Sequence, residues 1–203
     1  ASGWNLKDEK AENMQRGFLP AGCVLIIILA NSCLLAASES GVSVKEFGAV
    51  GDGAANDTQA IEAAFAAANS SPHRRELVFP PGTYRVDHLR FDNARDLHIS
   101  FQGAMIVAGS DAPQPSVITY ANAFNLSIDG LHTVHVGNKL NYACAVELTT
   151  TPGVGLGVLT RVNVHNLTCR NARLALKIND FDKDTLCSEM TFFGLQTIAC
   201  PRA

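Results

Sequence analysis

Asp180, Asp182 and Asp184 alternate along the chain, so in extended backbone the three carboxylates share one face, where they could bind calcium or supply a general acid and a general base. They are the sequence's candidate catalytic residues. An EF-hand loop does not fit them, because Thr185 stands where the sharp turn needs Gly and Thr191 where the bidentate Glu belongs. A solvated loop, partly neutralised by Lys177 and Lys183, is the plainer reading of the same residues. Two further acids, Asp52 and Asp57, sit in a Gly-rich turn and at the head of a helical pattern, which makes them turn and cap residues rather than a catalytic pair. His88, His98, His132, His135 and His165 fall mostly at outward positions of candidate strands, where an exposed histidine needs no special duty. No Ser/His/Asp or Cys/His constellation can be read from residue order.

Charge excludes one class of partner. Sixteen Lys and Arg against nineteen Asp and Glu leave a net charge of −3 with no basic block, so nucleic-acid binding is set aside. Only 17% of residues are charged, against roughly 25% in an ordinary soluble domain, while 47% are hydrophobic, a pattern that suits an extracellular β-rich protein.

Residues 24–37 read VLIIILANSCLLAA, with only Asn31 and Ser32 polar. Arg16 precedes the run and Ala36, Ala37 and Ser38 follow it, the order of a secretory signal peptide, with Met14 as the start. The alternative is an uncleaved membrane anchor over residues 18–37, which Pro20 and the Asn31-Ser32 pair weaken. Residues 1–40 are therefore set apart as upstream residues plus signal peptide or anchor. Export would place the mature protein outside the cell and leave Cys144, Cys169, Cys187 and Cys200, which could form two disulfides in any of three pairings or stay as buried thiols. No CxxC or Cys/His spacing supports zinc. Four sequons, at Asn56, Asn69, Asn125 and Asn166, would be glycan acceptors in a eukaryotic source.

Residues 42–47 alternate as a strand, and Gly48, Gly51 and Gly53 then make a tight turn whose spacing is not that of a dinucleotide loop. Asn56, Asp57 and Thr58 are good N-cap residues before QAIEAAFAAA, in which Ile61, Phe65 and Ala68 share one helical face. A strand over residues 76–79 runs into Pro80-Pro81-Gly82-Thr83, and residues 84–86 resume extended chain. Beyond that the sequence repeats itself. Leu97-His98-Ile99, Leu126-Ser127-Ile128, Val162-Asn163-Val164 and Met190-Thr191-Phe192 start 29, 36 and 28 residues apart, each with two apolar residues around a polar one. Gly130, Asn166 or Gly194 follows two positions after three of them, and a leucine comes next. A turn residue at a fixed offset from a short strand, recurring about every thirty residues, is what stacked coils of a parallel β-helix require. A β-sandwich would place hairpin turns every 8–12 residues, and Asp129-Gly130 is the single candidate.

At this point the chain resembles a known family. FGAVGDG at residues 47–53, NDTQAI at 56–61 and VFPPGTY at 78–84 resemble the opening of the pectin-lyase-like superfamily, strongly over the first forty-five residues from Val42 and more weakly through the repeats to Ile198. Asn56 and Phe47 depart mildly from its pattern. The resemblance implies an all-β, right-handed parallel β-helix solenoid with a short N-terminal capping α-helix, residues 41–203 forming its truncated N-terminal portion.

It also implies a secreted polysaccharide-degrading enzyme, nearest to polygalacturonases, that hydrolyses a pectin-like polymer by acid/base catalysis. The aspartates of such an enzyme would lie on successive coils, the first in an Asn-Thr-Asp motif shortly after a strand like residues 194–198. No such motif occurs before Ala203, so the expectation is that they lie past the chain end and that this portion hydrolyses nothing. A polysaccharide lyase, the one reading that calls for a cofactor, calcium, and a non-catalytic glycan-binding adhesin are the alternatives.

Overall fold

Leu77 and Phe79, Tyr84 and Val86, and Leu89 and Phe91 are all buried and alternate with more exposed residues, so three short successive strands each turn one apolar face to the same interior. The computed structural model describes residues 41–135, 142–151, 157–178 and 185–198, within one compact unit spanning Ser40–Ala203. Those three strands form one coil, and the coil recurs. After β1 (Val42–Ser43), β2 (Asp52–Asn56) and helix α1 (Thr58–Ser70), the first coil runs β3 (Glu76–Phe79), β4 (Thr83–Val86) and β5 (Leu89–Asp92). The second runs β6 (Arg95–Phe101), β7 (Met105–Ala108) and β8 (Gln114–Ala121), and the third β9 (Phe124–Asp129), β10 (His132–His135) and β11 (Tyr142–Thr149). The fourth is β12 (Gly157–His165), β13 (Thr168–Arg170) and β14 (Leu176–Ile178), and β15 (Thr185–Ser188), β16 (Thr191–Phe193) and β17 (Gln196–Ile198) begin a fifth.

Strands of like position stack in parallel into three sheets. The first sheet orders β1-β3-β6-β9-β12-β15 with β16 also on β12, the second β2-β4-β7-β10-β13-β17, and the third β5-β8-β11-β14. No coil can bury its apolar face alone, and stacking joins the faces into one core. The repeat seen in sequence is the observed register: Leu97 pairs with Leu126 and Leu126 with Val162, while Ile99, Ile128, Val164 and Phe192 form the next column. Each of these buried aliphatic side chains contributes about 1.5–3 kcal/mol.

The corners are set by residues that tolerate a left-handed backbone. Gly130 (φ 74°), Asn166 (φ 57°) and Gly194 (φ 70°) turn the first sheet into the second. At Gly130 a Cβ would lie 2.8 Å from the Phe101 carbonyl oxygen of the coil below, so glycine is needed twice over, for its φ and for the close approach. Asn93 and Asn122 turn the third sheet into the first, with φ of 56° and 54°. A further left-handed column interrupts the first sheet itself at Asp96, Asn125, Arg161 and Glu189, with φ between 49° and 55°. The Asn125 amide donates to Asp96 at 2.8 Å and Arg161 pairs with Glu189 at 2.9 Å, so side chains one coil apart hold one another in this bulge. Propensity alone would not place Arg or Glu there.

Helix α1 packs against β1, β3, β5 and β6, at the N-terminal end of the stack. Ile61, Ala64, Phe65 and Ala68 are buried, and the Phe65 ring stacks on Phe91 of the first coil with centroids 4.4 Å apart. The expected capping helix is therefore present. Two local expectations around it change. Residues 42–47 are strand only over Val42–Ser43 and then a 3-10 helix over Val44–Phe47, because Ser43 and Glu46 close a capping box and Gly48 (φ 95°) ends the turn. The segment expected as turn and cap, Asp52–Asn56, is a strand paired with β4 across a register shift.

Cys144 and Cys187 are free thiols in this structure, the buried Cys169 thiol donates to the Ala175 carbonyl at 3.9 Å, and Cys200 lies outside the described residues. Burial pushes the Cys144 thiol up to about 12, which leaves it protonated and unreactive at neutral pH.

Candidate functional site

Asp57 and Asp52 hold turns, as the sequence suggests, though Asp57 does so in an unexpected way. Its carboxylate accepts from the Val50 amide at 2.6 Å and the Gly51 amide at 3.1 Å rather than capping α1, while Asn56 accepts from the Thr58 amide at 3.1 Å. Asp52 accepts from the Ala54 and Ala55 amides, and these bonds hold its carboxyl below the usual carboxylate range. Both carboxylates thus serve backbone amides of their turns. Asp180, Asp182 and Asp184 lie outside the described residues. Among the described residues, no group of His, Cys, Asp and Glu is arranged to hold a metal ion.

The side chains that do come together are on the outward face of the third sheet. There the register places Arg90 beside Thr119, Thr119 beside Glu147, and Glu147 beside Lys177, one residue from each of β5, β8, β11 and β14. Strands about 4.8 Å apart make this row about 14 Å long. Its ends are accessible and its middle is not: Arg90 is exposed and the Lys177 side chain 36% exposed, whereas Thr119 and Glu147 are buried. Lys177 Nζ donates to Glu147 Oε1 at 3.2 Å, and Arg90 makes a two-point contact with Asp92 at 2.9 Å through Nε and through NH2. His88, just before β5, shares a hydrogen bond with the Thr119 hydroxyl at 2.9 Å, and Thr119 shares another with Ser116 at 2.6 Å.

Burial, and secondarily the Arg90 cation, hold the His88 imidazole below the usual histidine range, with Glu147 opposing them. It is neutral at pH 7 and able to accept a proton. Burial also lowers His132 and His135. All three bind a proton more weakly folded than unfolded, so their contribution to stability is complete above the ordinary histidine pKa and is lost as pH falls below it through the depressed folded values. The thermal midpoint should fall as pH is lowered from about 7 to 5.5, with a shallower slope in His88→Gln. A midpoint that stays level or rises over that window would contradict the assignment.

Sequence reasoning passed over this row. It set His88 aside as an ordinary exposed histidine, and it placed His135 outward, whereas His135 faces inward and is 2% exposed. A readable signal existed: Phe91-Asp92-Asn93-Ala94 and Tyr120-Ala121-Asn122-Ala123 repeat at a spacing of 29, which aligns Arg90 with Thr119.

Residues 41–89 match the family described as rhamnogalacturonase A/epimerase, pectate lyase-like, and the described residues they open stack as a parallel β-helix. Among solved structures, ORF18 of Geobacillus virus E2 is similar at 16% identity and a TM-score of 0.53, over 86% of this chain and 39% of that one. The mannuronan C-5 epimerase AlgE6 A-module of Azotobacter vinelandii is similar at 19% identity and a TM-score of 0.45, over 73% of this chain and 42% of that one. PfbA, a surface adhesin of Streptococcus pneumoniae, is similar at 15% identity and a TM-score of 0.35, over 76% of this chain and 57% of that one. The chain thus spans about two fifths of the length of the first two. No curated protein matches it.

Proposed function

We propose that the protein is exported from the cell, with the apolar run before Ser38 as its leader, and that it acts on an acidic polysaccharide of the pectin type along the outward face of the third sheet. The observation that carries this reading is the row from Arg90 to Lys177, which sets a cation at each end of a line of coils, paired with Asp92 or Glu147, from which a uronate carboxylate of the polymer would take it over. The family match over residues 41–89 supports the same substrate class. The whole protein then acts as a polygalacturonase-like hydrolase, which needs one carboxylic acid to protonate the leaving oxygen and one carboxylate to activate water. Asp92 and Glu147 on this face are both engaged by cations, so neither fills those roles; Asp180, Asp182 and Asp184 are this chain's candidates for them.

A lyase is the second reading, favoured by the neutral His88 beside Arg90. A base of that kind can take the proton next to a uronate carboxylate while cations, calcium among them, neutralise the carboxylate. Product analysis separates the two: the full-length protein, recovered from the medium of a secreting host, should release reducing ends from polygalacturonate without ultraviolet-absorbing unsaturated ends. Unsaturated ends would establish the lyase, and retention of the chain in the membrane with its first residues intact would overturn the leader.

A further inference from the structure

The outward face of the first sheet carries a second row of polar side chains. The register sets Glu76 of β3 beside His98 of β6, His98 beside Ser127 of β9, and Ser127 beside Asn163 of β12. Each alternates with buried residues such as Leu97, Ile99, Leu126 and Ile128, so all four point away from the core and are partly exposed. Neighbouring strands lie about 4.8 Å apart, a gap that rotamer choice closes to hydrogen-bond distance between a carboxylate and an imidazole, or an imidazole and a hydroxyl. On its other side Glu76 lies against Gly41, where any Cβ would come within 2.8 Å of its own, so the row begins at this carboxylate. None of the four side chains is committed to a hydrogen bond or ion pair among the described residues. The order along the row is carboxylate, imidazole, hydroxyl and carboxamide, one on each of four successive coils.

We propose that this row is a serine esterase site for uncharged carboxylic esters, with Ser127 as nucleophile, His98 as general base, Asn163 as oxyanion donor and Glu76 positioning His98. Nucleophilic catalysis by a serine needs an imidazole set between the hydroxyl and an orienting acid, and the sheet sets it there. Ser127 Oγ bonds to the acyl carbon as its proton passes to a ring nitrogen of His98, and the carbonyl oxygen becomes an oxyanion within reach of Asn163 Nδ2. His98 then gives the proton to the alcohol oxygen as the acyl C–O bond breaks. Water, activated by His98 in the same way, releases the acid and restores the Ser127 hydroxyl. Such hydrogen bonds are often long in a free enzyme and tighten around the substrate. Charge selects the ester: exposed Asp96 lies two residues before His98 and exposed Asp129 two after Ser127, so an anionic substrate is repelled. The site is on a different sheet from the row of Arg90 and Lys177 and does not depend on what that row binds.

The experiment is hydrolysis of p-nitrophenyl acetate by the full chain, read against a blank of free imidazole at the chain's histidine concentration. It is repeated in Ser127→Ala, His98→Gln, Asn163→Ala and Glu76→Gln, each checked for an unchanged circular dichroism spectrum. Turnover above the blank is expected, falling about 100-fold or more in Ser127→Ala and His98→Gln and about tenfold or more in Asn163→Ala. Glu76→Gln should lower kcat and leave KM unchanged. His165→Gln, in the neighbouring row, should leave turnover as it is. A fluorophosphonate, which bonds to an activated serine with loss of fluoride, should label the unaltered chain at Ser127, so the site is tested even where a variant fails to fold. Turnover no faster than the blank, turnover that survives Ser127→Ala, or a label absent from Ser127 would overturn the site. Unchanged kinetics in Asn163→Ala or Glu76→Gln would overturn the role given to that residue.

Discussion

Phe65→Asp should abolish the stable fold or lower its unfolding free energy by about 3–5 kcal/mol. The ring is 7% exposed and stacked on Phe91, whose other neighbour is Tyr120 at 5.3 Å, so helix α1 and the aromatic residues of the first two coils form one packed column. A solenoid exposes its core at its end, and this face of the helix is what closes it. Aspartate would remove the packing and bury a charge with no partner, two costs that add. Thermal and urea unfolding of residues 41–203 measure the effect. An unchanged midpoint would show that the helix does not cover the core.

Asp57→Ala should cost about 3 kcal/mol, while Asp52→Ala should cost far less. Asp57 is 2% exposed, and removing it strands the Val50 and Gly51 amides in a turn that other groups also crowd. Gly51 has φ 67° and lies so close to Tyr84 that a Cβ would come within 2.9 Å of the ring. The turn is thus built around the one carboxylate. Asp52 bonds two amides as well, but it is exposed and water can replace it. Parallel denaturation of the two variants checks the ranking, and equal losses would contradict it.

The parts of the fold visible in sequence were those with a period. The triplets at Leu97, Leu126 and Val162 align by apolar spacing alone, and the sheet register keeps that alignment because a slip of one residue would turn each strand's apolar set outward. The capping helix was visible for the same reason. Local side-chain bonds were harder to see: Ser43 and Glu46 convert an alternating segment into a 3-10 turn, and the Asp57 carboxylate leaves its own helix to close a loop six and seven residues earlier. The left-handed Arg161 and Glu189 are held by neighbours one coil away, which no local propensity encodes. The row from Arg90 to Lys177 is a product of register between strands about thirty residues apart, and only Arg90 and Thr119 are followed by a shared motif.

Titration of the chain with polygalacturonate tests the central claim most directly, when it is done beside a neutral galactan and repeated with Arg90 and Lys177 both replaced by Gln. The account predicts binding of the acidic polymer that weakens with added salt, falls about tenfold in the double variant and is absent for the galactan. Binding of both polymers alike, or binding of polygalacturonate that the double variant leaves unchanged, would contradict it.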